Sequence, residues 1–176
     1  MGKFTLPKDG GLIERDLPNG VKHTFEHIPA HIFEDETMAG ERLAEKIAAA
    51  ISAAEGVYRL GLSTGTSLSV LFKALVRRHR EEGLSFQNVE IYSTDEFYPA
   101  PSDAFSRNRR LYEDLIAHID IAPENVFIPK ITEPRDSAAV SAFCAEFDER
   151  ARGLDLLVMG IGEKGEVGFN EFSASD

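Results

Sequence analysis

The fold is decided by one stretch near the end of the printed chain, LDLLVMGIGEKGEVGFNE, residues 154–171. It opens with an apolar run, Leu154 to Met159, whose length is typical of a buried strand. Glycines then recur every two or three residues, which allows the backbone to approach a ligand closely. A strand that ends in a glycine-rich, charged loop is how an open α/β sheet builds a site at the carboxyl ends of its strands.

Part of this loop, Gly160 to Gly165, also spells G-x-G-x-x-G, the dinucleotide-binding pattern. That pattern further requires an apolar helix directly after the third glycine and an acidic residue about 20 positions later. Here the loop continues into Glu166-Val-Gly-Phe-Asn-Glu171, and the printed sequence ends at Asp176. Dinucleotide binding is therefore disfavoured.

Strands and helices alternate through the rest of the chain. Apolar runs predict further strands at residues 57–62, 89–94 and 123–129, and amphipathic periodicity predicts helices at 36–54, directly after residue 67, at 104–119 and at 137–152. This alternation predicts βαβ units with right-handed crossovers. The expected class is α/β, an open, mainly parallel, doubly wound, Rossmann-like sheet with helices on both faces. Residues 1–20 are expected to form a loose N-terminal arm, and residues 21–176 a single α/β domain.

Composition limits the partners and the compartment. A net charge of −11 and a pI of about 4.9 argue against nucleic acid or an anionic membrane as partner, although a local site can still bind a phosphorylated small molecule. The single cysteine, Cys144, excludes an intrachain disulfide and is predicted to be a small core residue of an amphipathic helix. No signal peptide or membrane span is recognisable, so a cytoplasmic location is the default expectation.

Three histidines, His23, His27 and His31, are spaced by four residues. On a helix they would share one face, but Pro29 makes a helix through them doubtful. A zinc site also needs further ligands in a fixed geometry. No metal site is predicted here.

The first candidate site is the turn Ser63-Thr64-Gly65-Thr66-Ser67, which lies between a predicted strand and a predicted helix. Backbone N–H groups at the start of the helix, together with the hydroxyls, can bind an anion. No Gly-Lys-Ser/Thr follows the glycine, so the turn is not a Walker A loop. An ordinary N-cap by Ser67 is the alternative, and both interpretations stay open.

The second candidate is the pair Asp95-Glu96 at the end of the predicted strand 89–94. Two acids in this position can transfer protons. Alternatively, Asp95 only caps the turn. Three arginines, Arg107, Arg109 and Arg110, follow near a helix start, where they oppose the helix dipole. They are solvated, paired with acidic groups, or directed toward an anion.

Taken together, four segments resemble the glucosamine-6-phosphate deaminase/isomerase family, from about Phe25 to Ser173. They are Leu60-Gly-Leu-Ser-Thr-Gly-Thr-Ser-Leu68, Thr94-Asp-Glu-Phe-Tyr98, His118-Ile-Asp-Ile-Ala-Pro-Glu-Asn-Val126 and Gly160 to Glu171. They are similar to the family's phosphate loop, its Met-Asp-Glu-Tyr segment, a connecting stretch, and its signature ending in Phe-Asn-Glu. The related 6-phosphogluconolactonases share the fold but not that ending, so they rank second. A further segment, Phe25 to Phe33, also resembles longer proteins that carry this domain at the N-terminus.

The resemblance implies an enzyme that opens the sugar ring, moves the C2 proton to C1 and releases ammonia, without a metal or organic cofactor. It implies Asp95 as the base for the C2 proton and Thr64, Gly65, Thr66 and Ser67 as the substrate phosphate loop. Glu171 matches the glutamate that supports the ring-opening histidine. The expected partner is a small-molecule sugar phosphate, and a homo-oligomer is expected.

The departures from the family pattern concern ring opening. Glu166 stands in the position of the catalytic histidine and Lys164 in that of an acid two residues earlier, while every histidine of the chain lies at or before His118. Histidine is suited to proton transfer near neutral pH, so its replacement predicts an impaired or altered deaminase. The alternative is a non-catalytic sugar-phosphate-binding relative. Four recognisable strands are fewer than in the family's sheet, so the domain is expected to be truncated at its C-terminus.

Overall fold

A computed structural model describes residues 31, 33–96, 106–129, 137–162 and 165–167. Several predictions from sequence fall outside these residues. They concern the N-terminal arm at residues 1–20, two of the three spaced histidines, Lys164 and Glu171.

The described strands form one four-stranded parallel sheet in the order β3-β2-β1-β4. The strands are β1 (Tyr58–Leu62), β2 (Val89–Ser93), β3 (Val126–Phe127) and β4 (Leu156–Val158). In the register of the sheet, Leu60 of β1 lies between Ile91 of β2 and Leu156 of β4. The predicted α/β class with a parallel sheet is confirmed.

Within the described residues, four helices connect or precede these strands and lie on both faces of the sheet. They are α1 (Glu36–Ala53), α2 (Ser69–Glu82), α3 (Arg107–Asp114) and α4 (Ser137–Ala151). On one face, buried side chains of α1, α2 and α3 pack with Leu60 and Ile91 in a single core. On the other face, Tyr92 stacks on Phe127 and contacts Phe147 of α4 edge-on. Since Ile91 and Tyr92 are consecutive in β2, they point to opposite faces.

Local signals explain most of the helix ends. Asp35 caps α1, where its side chain accepts a hydrogen bond from the Met38 amide at 2.8 Å. Gly83, at φ +77°, ends α2 in the left-handed conformation that favours glycine. The predicted helix 104–119 is shorter than expected, because Leu115 leaves helical geometry at φ −135° and a 3-10 turn over Ile116–His118 follows.

Two predictions about burial are wrong, one for β4 and one for α4. The run 154–159 was expected to be a buried strand, yet Leu157 and Met159 are 43% and 42% exposed, because β4 is an edge strand of the described sheet. Cys144 was expected in the core but is exposed. The reason is that α4 has no buried residue among those described and meets the sheet mainly through Phe147.

The strand order creates a crevice beside β1. The chain steps from β1 to β2 to β3 in one direction and then returns to place β4 on the far side of β1. The direction of the strand order therefore reverses between β1 and β4. Ligands of open α/β sheets bind at such a switch point, outside the carboxyl ends of the strands. The loops that follow β1 and β4 border this crevice.

Candidate functional site

The loop after β1 leads into α2 without a side-chain cap. Gly65 precedes a 3-10 turn, Thr66–Leu68, and neither this turn nor α2 has its first amides capped by a side chain. Ser67 lies inside the turn, so its interpretation as an ordinary N-cap is wrong. The Leu68 and Ser69 amides already donate to the Gly65 and Thr66 carbonyls, so the Thr66 and Ser67 amides at the start of the turn are the ones that can bind an anion.

Thr64 is a second feature of this loop that suits a polar ligand. Its side chain is 1% exposed, and its Oγ1 has no hydrogen-bond partner among the described residues. An unsatisfied buried hydroxyl costs about 1–3 kcal/mol. A ligand or a water that hydrogen-bonds to Oγ1 would offset this cost.

The loops after β1 and β4 contact each other across the switch point. The Ser63 amide donates to the Val158 carbonyl at 3.0 Å, and the Gly160 amide donates to the Ser63 Oγ at 3.3 Å. A Cβ on Gly160 would stand 3.0 Å from the Ser67 Oγ, which is a tight contact. The first glycine of the β4 loop therefore leaves room for a hydroxyl of the β1 loop.

Asp95 lies directly beside the start of the β1 loop. The Thr94 amide donates to the Leu62 carbonyl at 3.1 Å, which extends the β1–β2 ladder by one bond beyond β2. The Thr94 hydroxyl donates to Asp95 Oδ1 at 2.7 Å, and the Ser93 hydroxyl donates to the Asp95 carbonyl at 3.4 Å. Asp95 is half-buried. Both contacts lie within residues 93–95, which is compatible with either predicted role of Asp95, a base or a cap of the turn.

Glu96 has a different role, which sequence reasoning missed. Its carboxylate accepts hydrogen bonds from the Ser106 hydroxyl and the Asn108 side-chain amide, both at 2.6 Å. It also accepts from the Arg107 and Asn108 backbone amides, both at 3.2 Å. These groups open α3, so Glu96 ties the end of β2 to the start of that helix. A serine directly before a helical period is a cap signal, but it does not show that an acid ten residues earlier joins the cap.

Two arginines of α3, Arg109 and Arg110, have different described contacts. Arg109 pairs with Glu113 at 2.6 Å on the exposed surface. Arg110 Nη2 donates to the Ser69 hydroxyl at 2.9 Å, and its Nε pairs with Asp114 at 3.3 Å. Arg110 therefore brings a cation to the first residue of α2, next to the β1 loop.

The β4 loop closes into a small hairpin. The Gly162 amide donates to the Glu166 carbonyl at 2.8 Å, and Ile161 pairs with Val167 as an antiparallel bridge. Gly165 permits the turn at φ +87°. A Cβ on Gly162 would overlap the Glu166 carboxylate, so this side chain lies against the glycine. Residues 165–167 turn back toward β4 and do not begin a helix, in contrast to the dinucleotide pattern.

The structure therefore brings together part of the predicted site. Thr64, Gly65, Thr66, Ser67 and Asp95 follow neighbouring strands at one edge of the sheet. Glu166 lies in the hairpin after β4. Among the residues with described positions, no group of three or more His, Cys, Asp or Glu side chains could hold a metal ion.

Comparison with known proteins identifies the family. The sequence model described as "Glucosamine-6-phosphate isomerases/6-phosphogluconolactonase" matches residues 34–168. The chain belongs to this family. The match spans all of the described helices and strands, including both loops at the switch point.

Individual members of the glucosamine-6-phosphate isomerase/6-phosphogluconolactonase family are similar over much of the chain. A glucosamine-6-phosphate deaminase-like protein of Bacteroides thetaiotaomicron is 34% identical over 165 residues, which are 90% of this chain and 25% of that protein. The glucosamine-6-phosphate deaminase of Parabacteroides distasonis is 36% identical over 141 residues, 78% of this chain and 51% of the enzyme. The solved structure of a monomeric glucosamine-6-phosphate deaminase is 27% identical, with a TM-score of 0.69 over 78% of this chain and 56% of that one.

The chain thus spans about half the length of a deaminase it matches, and a quarter of the longer Bacteroides protein. In the described part of the chain, no helix is both long and apolar enough to cross a membrane.

Proposed function

We propose that this chain acts on an amino-sugar phosphate or sugar phosphate by aldose–ketose proton transfer. One observation carries the proposal: the candidate phosphate loop and Asp95 follow neighbouring strands and are joined by the hydrogen bond from the Thr94 amide to the Leu62 carbonyl. The phosphate loop and the base would then contact the two ends of one small molecule. Membership of the family supports this substrate class.

The phosphate would bind at residues 64–67. The uncapped amides ahead of α2 supply donors, and the unpartnered Thr64 Oγ1 supplies a buried hydroxyl. The dipole of α2 favours an anion at this end. Arg110, held at the Ser69 hydroxyl, adds positive charge nearby in a protein whose net charge is −11.

Asp95 would act as the base on the open-chain sugar. Its carboxylate removes the proton from C2, the C2–H electron pair forms the C1=C2 double bond of the enediol or enolamine, and the C1 carbonyl π pair moves to O1, which takes a proton from solvent. The C1=C2 pair then takes the proton back from Asp95 at C1, while the O2–H or N2–H bond gives its proton to solvent and supplies the C2=O or C2=N double bond. A rigid position matters, because a base must lie within hydrogen-bond reach of the proton it takes. The Thr94 hydroxyl holds one carboxylate oxygen of Asp95 at 2.7 Å.

Ring opening and deamination would be weak or absent in this chain. Glu166 and Lys164 stand where the family has a histidine and an acid, and Glu171 lacks the histidine it would support. Histidine is the side chain suited to proton transfer near neutral pH, and residue 166 is a glutamate. The residual activity is therefore proton exchange on a sugar that has opened spontaneously.

Deuterium incorporation from solvent tests this proposal. Label should enter C2 of glucosamine 6-phosphate or C1 of fructose 6-phosphate. Asp95→Asn keeps size and polarity but cannot take the proton, so exchange should fall by about 10²–10⁴-fold. The matched control is Asp148→Asn, the same change at an exposed position on α4, which should exchange like the parent. Equal exchange in the parent and Asp95→Asn would remove Asp95 from the mechanism.

A sugar-phosphate-binding protein without catalysis is the second candidate, favoured by the same replacement of the family histidine by Glu166. It predicts an occupied phosphate loop with no exchange in parent or variant. Hydrolysis of 6-phosphogluconolactone would instead identify the lactonase branch of the family. The expected homo-oligomer is a separate prediction, which light scattering of the purified chain checks.

A further inference from the structure

Glu96 belongs to a cluster that joins three segments of the carboxyl edge. The cluster, here named the Glu96 anchor, consists of Glu96, Ser106, Asn108 and the Pro129 carbonyl. Glu96 lies three residues after β2, Ser106 and Asn108 open α3, and Pro129 lies two residues after β3. Asn108 is 4% exposed, and its side-chain amide donates to both Glu96 and Pro129.

The contacts of Glu96 suit a structural anchor rather than a proton donor. Its carboxylate accepts at least four hydrogen bonds, and an ionised carboxylate is an acceptor only. Two of them come from the first backbone amides of α3, where a negative charge is also favoured by the helix dipole. Such charge-assisted bonds are the stronger class of hydrogen bond in proteins.

This geometry fixes the backbone on both sides of Asp95. On one side, Thr94 is hydrogen-bonded to Leu62 of β1. On the other, Glu96 is hydrogen-bonded to α3 through four donors. Asp95 is thus the middle residue of a short segment that is tied at both ends, and its own contacts are local bonds to Ser93 and Thr94.

We propose that Glu96 is a positioning residue, which holds the Asp95 carboxylate in place through the Glu96 anchor. The proposal rests on the assignment of Asp95 as the base. The two acids of the Asp95-Glu96 pair then have different roles. Asp95 takes the proton, and Glu96 fixes the position of Asp95. Since a misplacement of about 1 Å can cost about 10²-fold in rate, the anchor has a catalytic consequence without touching substrate.

Glu96→Gln is the smallest change that breaks the anchor. Glutamine keeps the length of the side chain but replaces one acceptor oxygen by an NH2 group. That group meets donors from α3, so at least one of the four bonds is lost. The matched control is Glu113→Gln, the same substitution on α3 at an exposed position whose partner is Arg109.

The first experiment follows Asp95 by NMR, independently of activity. Glu96→Gln should speed hydrogen exchange of the Arg107 and Asn108 amides by about tenfold or more, as expected for a lost charge-assisted bond. It should also move the side-chain carboxyl ¹³C resonance of Asp95. Glu113→Gln should change neither signal. Loosened α3 amides with an unmoved Asp95 resonance, or no change in either, would overturn the proposal.

The second experiment separates rate from binding. In the deuterium exchange assay, Glu96→Gln should lower kcat by about 10²-fold with KM nearly unchanged, because the proposed phosphate loop follows a different strand, β1. Asn108→Ala should give a similar loss, and the double variant should lose little more, because both changes break one unit. Simple loss of stability would lower the amount of folded protein without this pattern.

The outcomes distinguish the anchor from the function on which it rests. If Asp95→Asn leaves exchange unchanged, the base assignment fails whatever Glu96 does. If Asp95→Asn abolishes exchange while Glu96→Gln retains the parental kcat, the positioning role fails alone. If the parent shows no exchange, the NMR comparison of Glu96→Gln with Glu113→Gln still decides whether the anchor positions Asp95.

Discussion

Two groups of loops lie at the carboxyl edge of the sheet, and they are held in different ways. One group consists of the loops after β1 and β2, and the other is the loop after β4. Residues 63–64 and 93 are almost fully buried, and residues 94–96 are tied to β1 and to α3. The β4 hairpin is mostly exposed, with Ile161 at 77%. In the described structure, the Gly160 amide joins the hairpin to the β1 loop by a hydrogen bond to the Ser63 hydroxyl.

This difference separates two chemical tasks. The buried side carries the proposed phosphate loop and the base, and its sequence resembles the family closely. The exposed side carries Glu166, which we propose stands in place of the family histidine. On that proposal, the chain would keep phosphate binding and proton transfer while ring opening is weak or absent, and the substitutions below test each side separately.

The largest effect should come from restoring the family residues on the hairpin side. Glu166→His combined with Lys164→Asp should raise glucosamine 6-phosphate deamination by about 10²-fold or more, the usual contribution of a general acid–base group. Ammonia release measures it. Glu163→Gln with Lys164→Asp, which alters charge in the hairpin without adding a histidine, is the control.

Parental turnover already at ordinary enzyme rates of about 1–10³ per second would contradict the division between the two sides. So would an equal gain in the control variant. Phosphate binding should be the same in all three proteins, because the β1 loop is unchanged.

A smaller effect, on stability alone, should follow Asp120→Asn. Asp120 accepts hydrogen bonds from the Phe86 amide at 2.6 Å and the Ser85 hydroxyl at 2.7 Å, ahead of β2. Burial acts to raise the pKa of Asp120, but these bonds and the nearby His79 outweigh it and lower the pKa below 3.8. The substitution should cost about 1–3 kcal/mol in the free energy of unfolding at neutral pH.

The contribution of Asp120 to the free energy of unfolding should depend on pH. Because the pKa of folded Asp120 is lowered, its contribution is fully present above pH 3.8 and is lost as pH falls below that value. The difference between parent and Asp120→Asn should therefore shrink in acid, as urea unfolding at several pH values will show. Glu124→Gln, at an exposed position nearby, should cost little at any pH. A difference that grows in acid would contradict the assigned contacts.

The sequence predicts the buried side of the molecule better than the exposed side, for a physical reason. Strands 58–62 and 89–93 are covered by helices, so an apolar run reports their burial correctly. The run 154–159 is also apolar, but its strand, Leu156–Val158, is an edge strand of the described sheet. Cys144 follows a helical period that meets little of the sheet, and apolar periodicity alone does not reveal how much of a helix is covered.

The candidate site was predictable in its segments but not in its contacts. Strand–turn–helix patterns locate Thr64 to Ser67 and Asp95, because carboxyl ends of parallel strands share one edge. The role of Glu96 depends on a helix that begins ten residues later, and no local spacing shows that the two meet. Ser67 had a plausible local role as a cap, which the 3-10 turn removes.

The central claim is that the loop after β1 binds the phosphate of the substrate, and backbone amide shifts during titration with fructose 6-phosphate test it most directly. The Gly65, Thr66 and Ser67 amides should shift in the parent, with Asp95 following and the exposed α4 amides unchanged. Thr64→Val removes the unpartnered buried hydroxyl, so it should keep or raise stability while affinity falls about tenfold. A well-folded chain whose Gly65–Ser67 amides do not move at saturating sugar phosphate, or a Thr64→Val variant that titrates with the affinity of the parent, would contradict the account.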